Sequence, residues 1–244
     1  MTLHRIRALL FDLDDTLLLN DMEAFGAAYF RALATKLRPL CPPEVLQPAL
    51  DEAVRAMWRN DGRNGTNAEV FAQIFFPRVG RTPEELMPLI HEFYTRDFEA
   101  LRRCTAPDPE ARALVSLAVE RGYQLAVATQ PVFPLPAILA RLRWAGVGAD
   151  EFPYAYISSY EEMRACKPHP HYFGTIVTAL GRAPEECLMV GDSVETDLPA
   201  RRYGLKTFWV RRGGQENTAE ILCDAQGTLG DLGRLLETGG LDAL

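Results

Sequence analysis

Three aspartates, Asp12, Asp14 and Asp15, stand within four positions in the stretch ALLFDLDDTLLLN at residues 8–20. Like charges this close need a counter-charge. Farther along, Thr129 closes YQLAVAT, Lys167 opens KPHP, and Asp192 sits in CLMVGDS. Only Lys36, Lys167 and Lys206 among the 26 basic residues are lysine, so a lysine kept in such an arginine-rich chain marks a place where lysine itself is needed. A hard divalent cation such as Mg²⁺ takes carboxylate and carbonyl oxygens, and Asp12 and Asp192 are the evident side-chain ligands. Lys167 brings a second positive charge for a carboxylate or a phosphate oxygen, and Thr129 can donate to an anionic oxygen. An aspartate beside Mg²⁺ can attack phosphorus and form an aspartyl-phosphate. The leaving oxygen then needs a proton, and the second step needs an activated water. Residues i and i+2 of an extended strand share a face, so Asp12 fits as nucleophile and Asp14 as general acid/base.

Such groups come together only if separate elements deliver them to one edge. ALLF is a short apolar run ended by acids, which reads as a buried parallel strand. YQLAVATQ, YAYISS, CLMVGDS and KTFWVRR read as further strands. ALVSLAVERG, residues 135–145, PHYFGTIVTALG and DLPARRYG read as helices between them, with a short helix near Leu229–Leu236. Strands alternating with helices predict a parallel α/β sheet. Such sheets bind ligands at the carboxyl ends of their strands, where Asp12, Asp14, Thr129 and Asp192 fall. Residues 21–101 have a different texture. Phe25, Tyr29, Leu33 and Leu37 repeat at helical spacing, as do Leu46, Leu50, Val54 and Met57. Val70, Phe71, Ile74 and Phe75, then Leu86, Leu89, Ile90, Phe93 and Phe98, form two more stripes. A helical block is therefore inserted after the first strand.

With 244 residues, 48% of them hydrophobic, the chain is long enough for a core and a second lobe. A net charge of −7 argues against nucleic acid or an anionic membrane as the primary partner. Five cysteines without CxxC spacing read as free thiols in a reducing compartment. The apolar run after Arg7 is too short for a secretory signal, and no segment approaches a membrane span. The expectation is a cytoplasmic protein acting on a small-molecule ester.

FDLDDT, VAT at 127–129, the lysine of KPHP, and GDSVETD are similar, in order, to the four motifs of the haloacid dehalogenase superfamily. The insertion resembles that family's helical C1 cap. The resemblance implies a Rossmann-like α/β core with a parallel five-stranded sheet, over residues 1–18 and 104–244, and an all-α cap over 19–103. It implies a Mg²⁺-dependent phosphatase of a small phosphorylated metabolite. Asp12 would be the nucleophile and Asp14 the general acid/base, the latter also binding Mg²⁺ through its backbone carbonyl. Thr129 and Lys167 would hold the phosphoryl group, Asp192 would ligate the metal, and Asp197 would support the metal site or pair with Lys167. Thr16 would steady the first loop. Gln130 stands where many relatives have asparagine, a departure that bears on substrate binding. A sugar phosphomutase shares the core chemistry. A 2-haloacid dehalogenase needs neither Asp14 nor a metal ligand at Asp192. A non-catalytic binding module would have lost its motifs.

Several residues read more plainly. Asp15 is a loop residue, Ser193 and Thr196 are helix caps, and His169 and His171 belong to a helix entrance between prolines. Arg55, Arg59, Arg63 and Asn64 surround a Gly-rich cap loop and read as a solvated face within reach of a substrate's distal part. Residues 17–21 and 102–108 are the expected hinges.

Overall fold

A computed structural model describes residues 5–212 and 222–244. The chain opens with β1 (Ala8–Phe11), then β2 (Leu18–Asn20). Four helices follow: α1 (Met22–Leu37), α2 (Pro43–Trp58), α3 (Asn67–Val79) and α4 (Pro83–Glu92). The chain returns through β3 (Thr105–Pro107) and continues as α5 (Ala111–Glu120), β4 (Gln124–Val127), α6 (Leu135–Trp144), β5 (Tyr154–Ile157) and α7 (Pro170–Leu180). It ends with β6 (Cys187–Gly191), β7 (Lys206–Val210), β8 (Ala225–Gly227) and α8 (Leu229–Thr238).

The strands form a parallel sheet of order β5-β4-β1-β6-β7-β8. Six strands replace the expected five. The added edge strand is only AQG, too short and too polar to carry a period-two signal. β1 lies at the centre, flanked by β4 and β6, with Phe11 level with both Val127 and Val190. The chain runs outward from β1 to β4 and β5, then returns to build β6, β7 and β8 on the other side. That reversal makes a crevice at the carboxyl ends of β1, β4 and β6.

Period two decides which face each side chain covers. Leu9, Phe11, Leu125, Val127, Leu188 and Val190 belong to one buried cluster with Leu114 of α5, Ile138 of α6 and Leu232 of α8. Ala8, Leu10, Ala126, Cys187 and Met189 belong to another, with Tyr172, Phe173 and Ile176 of α7. With both faces covered, a continuous apolar run such as ALLF forms a strand without the polar alternation of a half-exposed one.

The four stripes of the insertion become α1–α4. Asp21 caps α1 by accepting from the Ala24 amide at 3.0 Å, and Thr66 and Glu69 form a capping box on α3. The fourth stripe does not stay α-helical: it passes at Phe93–Asp97 into a π turn and at Phe98–Cys104 into 3₁₀ helix. DLPARRYG likewise forms 3₁₀ helix, over Leu198–Tyr203. The two expected hinges pair with each other: β2 and β3 form an antiparallel ribbon, Leu18 opposite Pro107 and Asn20 opposite Thr105. No helix among the described residues is long and apolar enough to cross a membrane.

Candidate active site

Asp12 is the first residue beyond β1. Its amide donates to the Val190 carbonyl at 2.9 Å, which extends the ladder into the crevice. Its side chain is almost wholly buried. Lys167 reaches it from the loop before α7, with Nζ donating to Asp12 Oδ1 at 2.7 Å and to Asp197 Oδ1 at 2.6 Å. Asp192, one residue past β6, completes a group with Asp12 and Asp197 whose carboxylate oxygens lie within 4.8 Å of one another. Gly191 makes this possible: a Cβ there would stand 2.2 Å from Asp197 Oδ2. Asp197 Oδ2 also accepts from the Ser193 amide at 3.0 Å, so both its oxygens are already held. Asp12 and Asp192 keep oxygen capacity to spare.

Three carboxylates share one ammonium. Burial pushes Asp12 well above the usual carboxylate range; Lys167 pulls it back, and Asp197, Asp192 and Asp14 push it further. Burial, followed by Asp197 and Asp15, raises Asp192 to about 6. Lys167 is itself raised, because Asp12 and Asp197 outweigh the opposing effect of its burial. One ammonium therefore does not neutralise the cluster, and a cation seated against Asp12 and Asp192 would. The oxygen-only donor set suits a hard divalent ion such as Mg²⁺.

The structure gathers Asp12, Lys167, Asp192 and Asp197, with Thr129 at the end of the neighbouring strand. Thr129 is buried, and its carbonyl accepts from Tyr172 Oη at 2.7 Å and Ser158 Oγ at 2.9 Å. Gln130 clasps the Lys167 backbone: Oε1 accepts from its amide at 2.9 Å and Nε2 donates to its carbonyl at 3.3 Å. The extra methylene of glutamine gives it that reach, and the clasp fixes the root of the lysine. Thr16 is fully buried, and its Oγ1 lies 3.5 Å from Asp192 Oδ1, at the outer limit of a hydrogen bond.

Asp14 is held by other partners. Its Oδ1 accepts from Asn20 Nδ2 at 2.6 Å and its Oδ2 from Arg141 Nη1 at 2.5 Å. Asp15 adopts a left-handed conformation, φ 55°, which aspartate tolerates in turns. Its Oδ1 accepts from the Asn20 amide at 3.0 Å, so it closes the loop locally. Arg212 grips the same loop, donating to the carbonyls of Asp15 and Thr16 and to Asp108 Oδ2 at 2.5 Å. One guanidinium thus ties the loop after β1 to the return from the helical segment.

Arg55, Arg59, Arg63 and Asn64 are exposed, and Arg63 pairs with Asp61 at 3.4 Å. The loop instead docks through two buried amides. Asn67 Oδ1 accepts from Asn60 Nδ2 at 2.9 Å, and Asn67 Nδ2 donates to the Pro131 carbonyl at 3.0 Å. Gly62, at φ 95°, lets the loop approach His171: a Cβ there would lie 3.1 Å from the imidazole. His169 Nδ1 accepts from the His171 amide at the start of α7. Sequence reasoning missed Asn20, Asp108, Arg141, Arg212 and the Asn60–Asn67 pair. Arg141 alone left a legible trace, a charge on the apolar stripe of Ile138, Leu142 and Ala145.

Fold and site define an open α/β protein with an acidic, cation-ready cluster at the switch point of its sheet. A family model described as haloacid dehalogenase-like hydrolase matches residues 6–203. The chain belongs to that family. It is 31% identical to a phosphoserine phosphatase of Thermus thermophilus, over 93% of this chain and 96% of the relative. It is 27% identical to a glyceraldehyde 3-phosphate phosphatase of Pyrococcus furiosus, over 86% of this chain and 83% of the relative. The solved structure of a 2-haloacid dehalogenase from Pseudomonas syringae superposes with a TM-score of 0.65 at 21% identity, covering 96% of this chain and 99% of that one. At that identity the likeness is one of fold.

Proposed function

We propose that the protein is a Mg²⁺-dependent phosphatase that hydrolyses a small phosphorylated metabolite through an aspartyl-phosphate on Asp12. The observation that carries the reading is the buried Lys167 held between Asp12 and Asp197, with Asp192 beside them and charge left uncompensated. The names of its curated relatives agree with it.

An Asp12 oxygen attacks phosphorus, and the bond to the leaving oxygen breaks. Asp14 gives that oxygen a proton. Water then attacks the same phosphorus, loses its proton to Asp14, and phosphate departs as the Asp12 carboxylate is restored. Lys167 holds Asp12 in position and, with Thr129, takes negative charge from the phosphoryl oxygens. Mg²⁺ against Asp12, Asp192 and the Asp14 carbonyl would supply the positive charge that three crowded carboxylates and an incoming phosphate require. Asp197 stands behind Lys167 and orients it. The helical segment, residues 19–103, acts as a cap: it shields the site from water and selects the substrate, pivoting on the β2–β3 ribbon. A dehalogenase releases halide without a proton and would leave Asp14 and Asp192 unexplained.

Substituting Asp12→Asn is expected to lower turnover of p-nitrophenyl phosphate by about 10⁴-fold or more, and EDTA to stop the wild-type enzyme until Mg²⁺ is restored. Retained turnover after the substitution contradicts the assignment of the nucleophile.

A further inference from the structure

Arg141 has no part in the chemistry just described, yet among the described residues it is the side chain of α6 that bonds Asp14. It lies on the apolar stripe of α6, 1% exposed. Its guanidinium covers the Phe133 ring at 4.6 Å from the centroid. Nη1 donates to Asp14 Oδ2, while Nε and Nη2 are buried without a hydrogen-bond partner.

A guanidinium in such a place carries a large desolvation penalty, and a well-packed apolar residue generally stabilises as well or better. Stability is therefore a poor reason for arginine at 141. Two of its donor nitrogens are left unpaired, and the hydrogen bond it does make goes to Asp14. Asp14 is held a second time, from the other side, by Asn20 at the end of β2. One hold comes from a buried helix. The other comes from the ribbon that carries the helical segment.

We propose that Arg141 is the positioning residue of Asp14, fixing the orientation from which its carboxyl serves the leaving oxygen, with Asn20 as the releasable second hold. The proposal rests on the phosphatase reading. Arginine is always charged and cannot carry the proton itself. It acts through geometry: a carboxyl held on one oxygen by a rigid, buried fork pivots about that contact when the other oxygen is freed. Both Asp14 oxygens are engaged in the structure, so proton delivery requires one hold to open. Asn20 is only partly buried and belongs to the ribbon, which makes it the hold that opens; Arg141 is the one that stays. The proton passes from the Asp14 carboxyl to the leaving oxygen, and the resulting carboxylate remains paired with the guanidinium until water returns a proton.

The test compares two esters under saturating Mg²⁺. p-Nitrophenolate departs without a proton, whereas the alkoxide of phosphoserine or glycerol phosphate does not. Because kcat/KM reports the step in which the leaving group departs, it isolates the contribution of Asp14. Arg141→Met is expected to lower kcat/KM for the alkyl ester by about 10²-fold and for the nitrophenyl ester by less than about threefold. Arg141→Lys should recover part of the loss, and Asn20→Ala, which removes only the hold that has to open, should leave the kcat/KM ratio of the two esters within about twofold of wild type or shift it toward the alkyl ester. Equal losses on both esters mean a merely structural role and overturn the proposal, as does no loss on either. If Arg141→Met does not fold, judged by its melting transition, Arg141→Lys carries the test under the same criteria. A wild-type protein that turns over neither ester overturns the phosphatase reading instead, and this proposal with it.

Discussion

Lys167 answers to two carboxylates at once, and that ties the chemistry at Asp12 to the charge of the whole cluster. Asp12, Asp14, Thr129, Lys167, Asp192 and Asp197 stand out in the sequence as candidates because each is a polar residue set directly after, or at the mouth of, a recognisable element. The structure brings Asp12, Lys167, Asp192 and Asp197 into contact or close to it. The contacts of Asp14 were not legible, since Arg141 lies 127 positions away and nothing local announces the pair. A consequence for stability follows from Asp192. Burial raises it from its ordinary 3.8 to about 6, so the folded state binds a proton that the unfolded chain has released. Its effect opposes folding as pH rises from about 4 through 6, and metal-free protein should therefore be less stable at pH 7 than this site alone would make it at pH 5. A bound cation must displace that proton. Mg²⁺ at about 100 times its Kd should add about 2.7 kcal/mol at pH 7, a rise in Tm of roughly 5–10 °C, and distinctly less at pH 5. Calorimetry at the two pH values checks this; an equal rise at both contradicts a site that includes Asp192.

Among the elements, the β2–β3 ribbon is the one whose importance exceeds its sequence signal. Three residues a side, with proline and asparagine among them, carry no usable alternation, so the sequence yields hinges but not their pairing. The same shortness hid the edge strand β8. The π and 3₁₀ turns that end the fourth helical stripe keep its apolar spacing and differ only in hydrogen-bond pattern, which composition does not report. Arg212 fastens the ribbon's base through Asp15, Thr16 and Asp108, and Asp108 is nearly buried. Removing one partner strands a buried charge. Arg212→Met is expected to destabilise the protein by about 3 kcal/mol, and the double variant with Asp108→Leu to recover about 1–3 kcal/mol of that loss. Urea unfolding of the four proteins measures the coupling; strict additivity would show that the pair is incidental.

For the molecule as a whole, the sequence separates helical insertion from sheet, while the packing joins them. One apolar cluster includes Leu37, Leu46 and Phe75 of the insertion together with Leu9, Phe11 and Val190 of the sheet. Phe98 stacks on Trp144 at 5.2 Å, and Trp144 Nε1 donates to Glu99 at 2.9 Å. Asn67, fully buried, adds a polar latch to Pro131. Helical stripes read from sequence say that a face is apolar but not which surface covers it, so this continuity was not legible. Thermal unfolding of the metal-free protein is expected to be a single transition, with equal calorimetric and van't Hoff enthalpies. Two resolved transitions would show that insertion and sheet unfold independently.

The central claim is covalent catalysis by Asp12. Rapid acid quench of the Mg²⁺-loaded enzyme during turnover of an aryl phosphate, followed by peptide mass spectrometry, tests it directly. The account predicts one phosphoryl group on the peptide that carries Asp12, absent after Asp12→Asn. Steady turnover with no adduct on that peptide, or an adduct that survives the substitution, would contradict it.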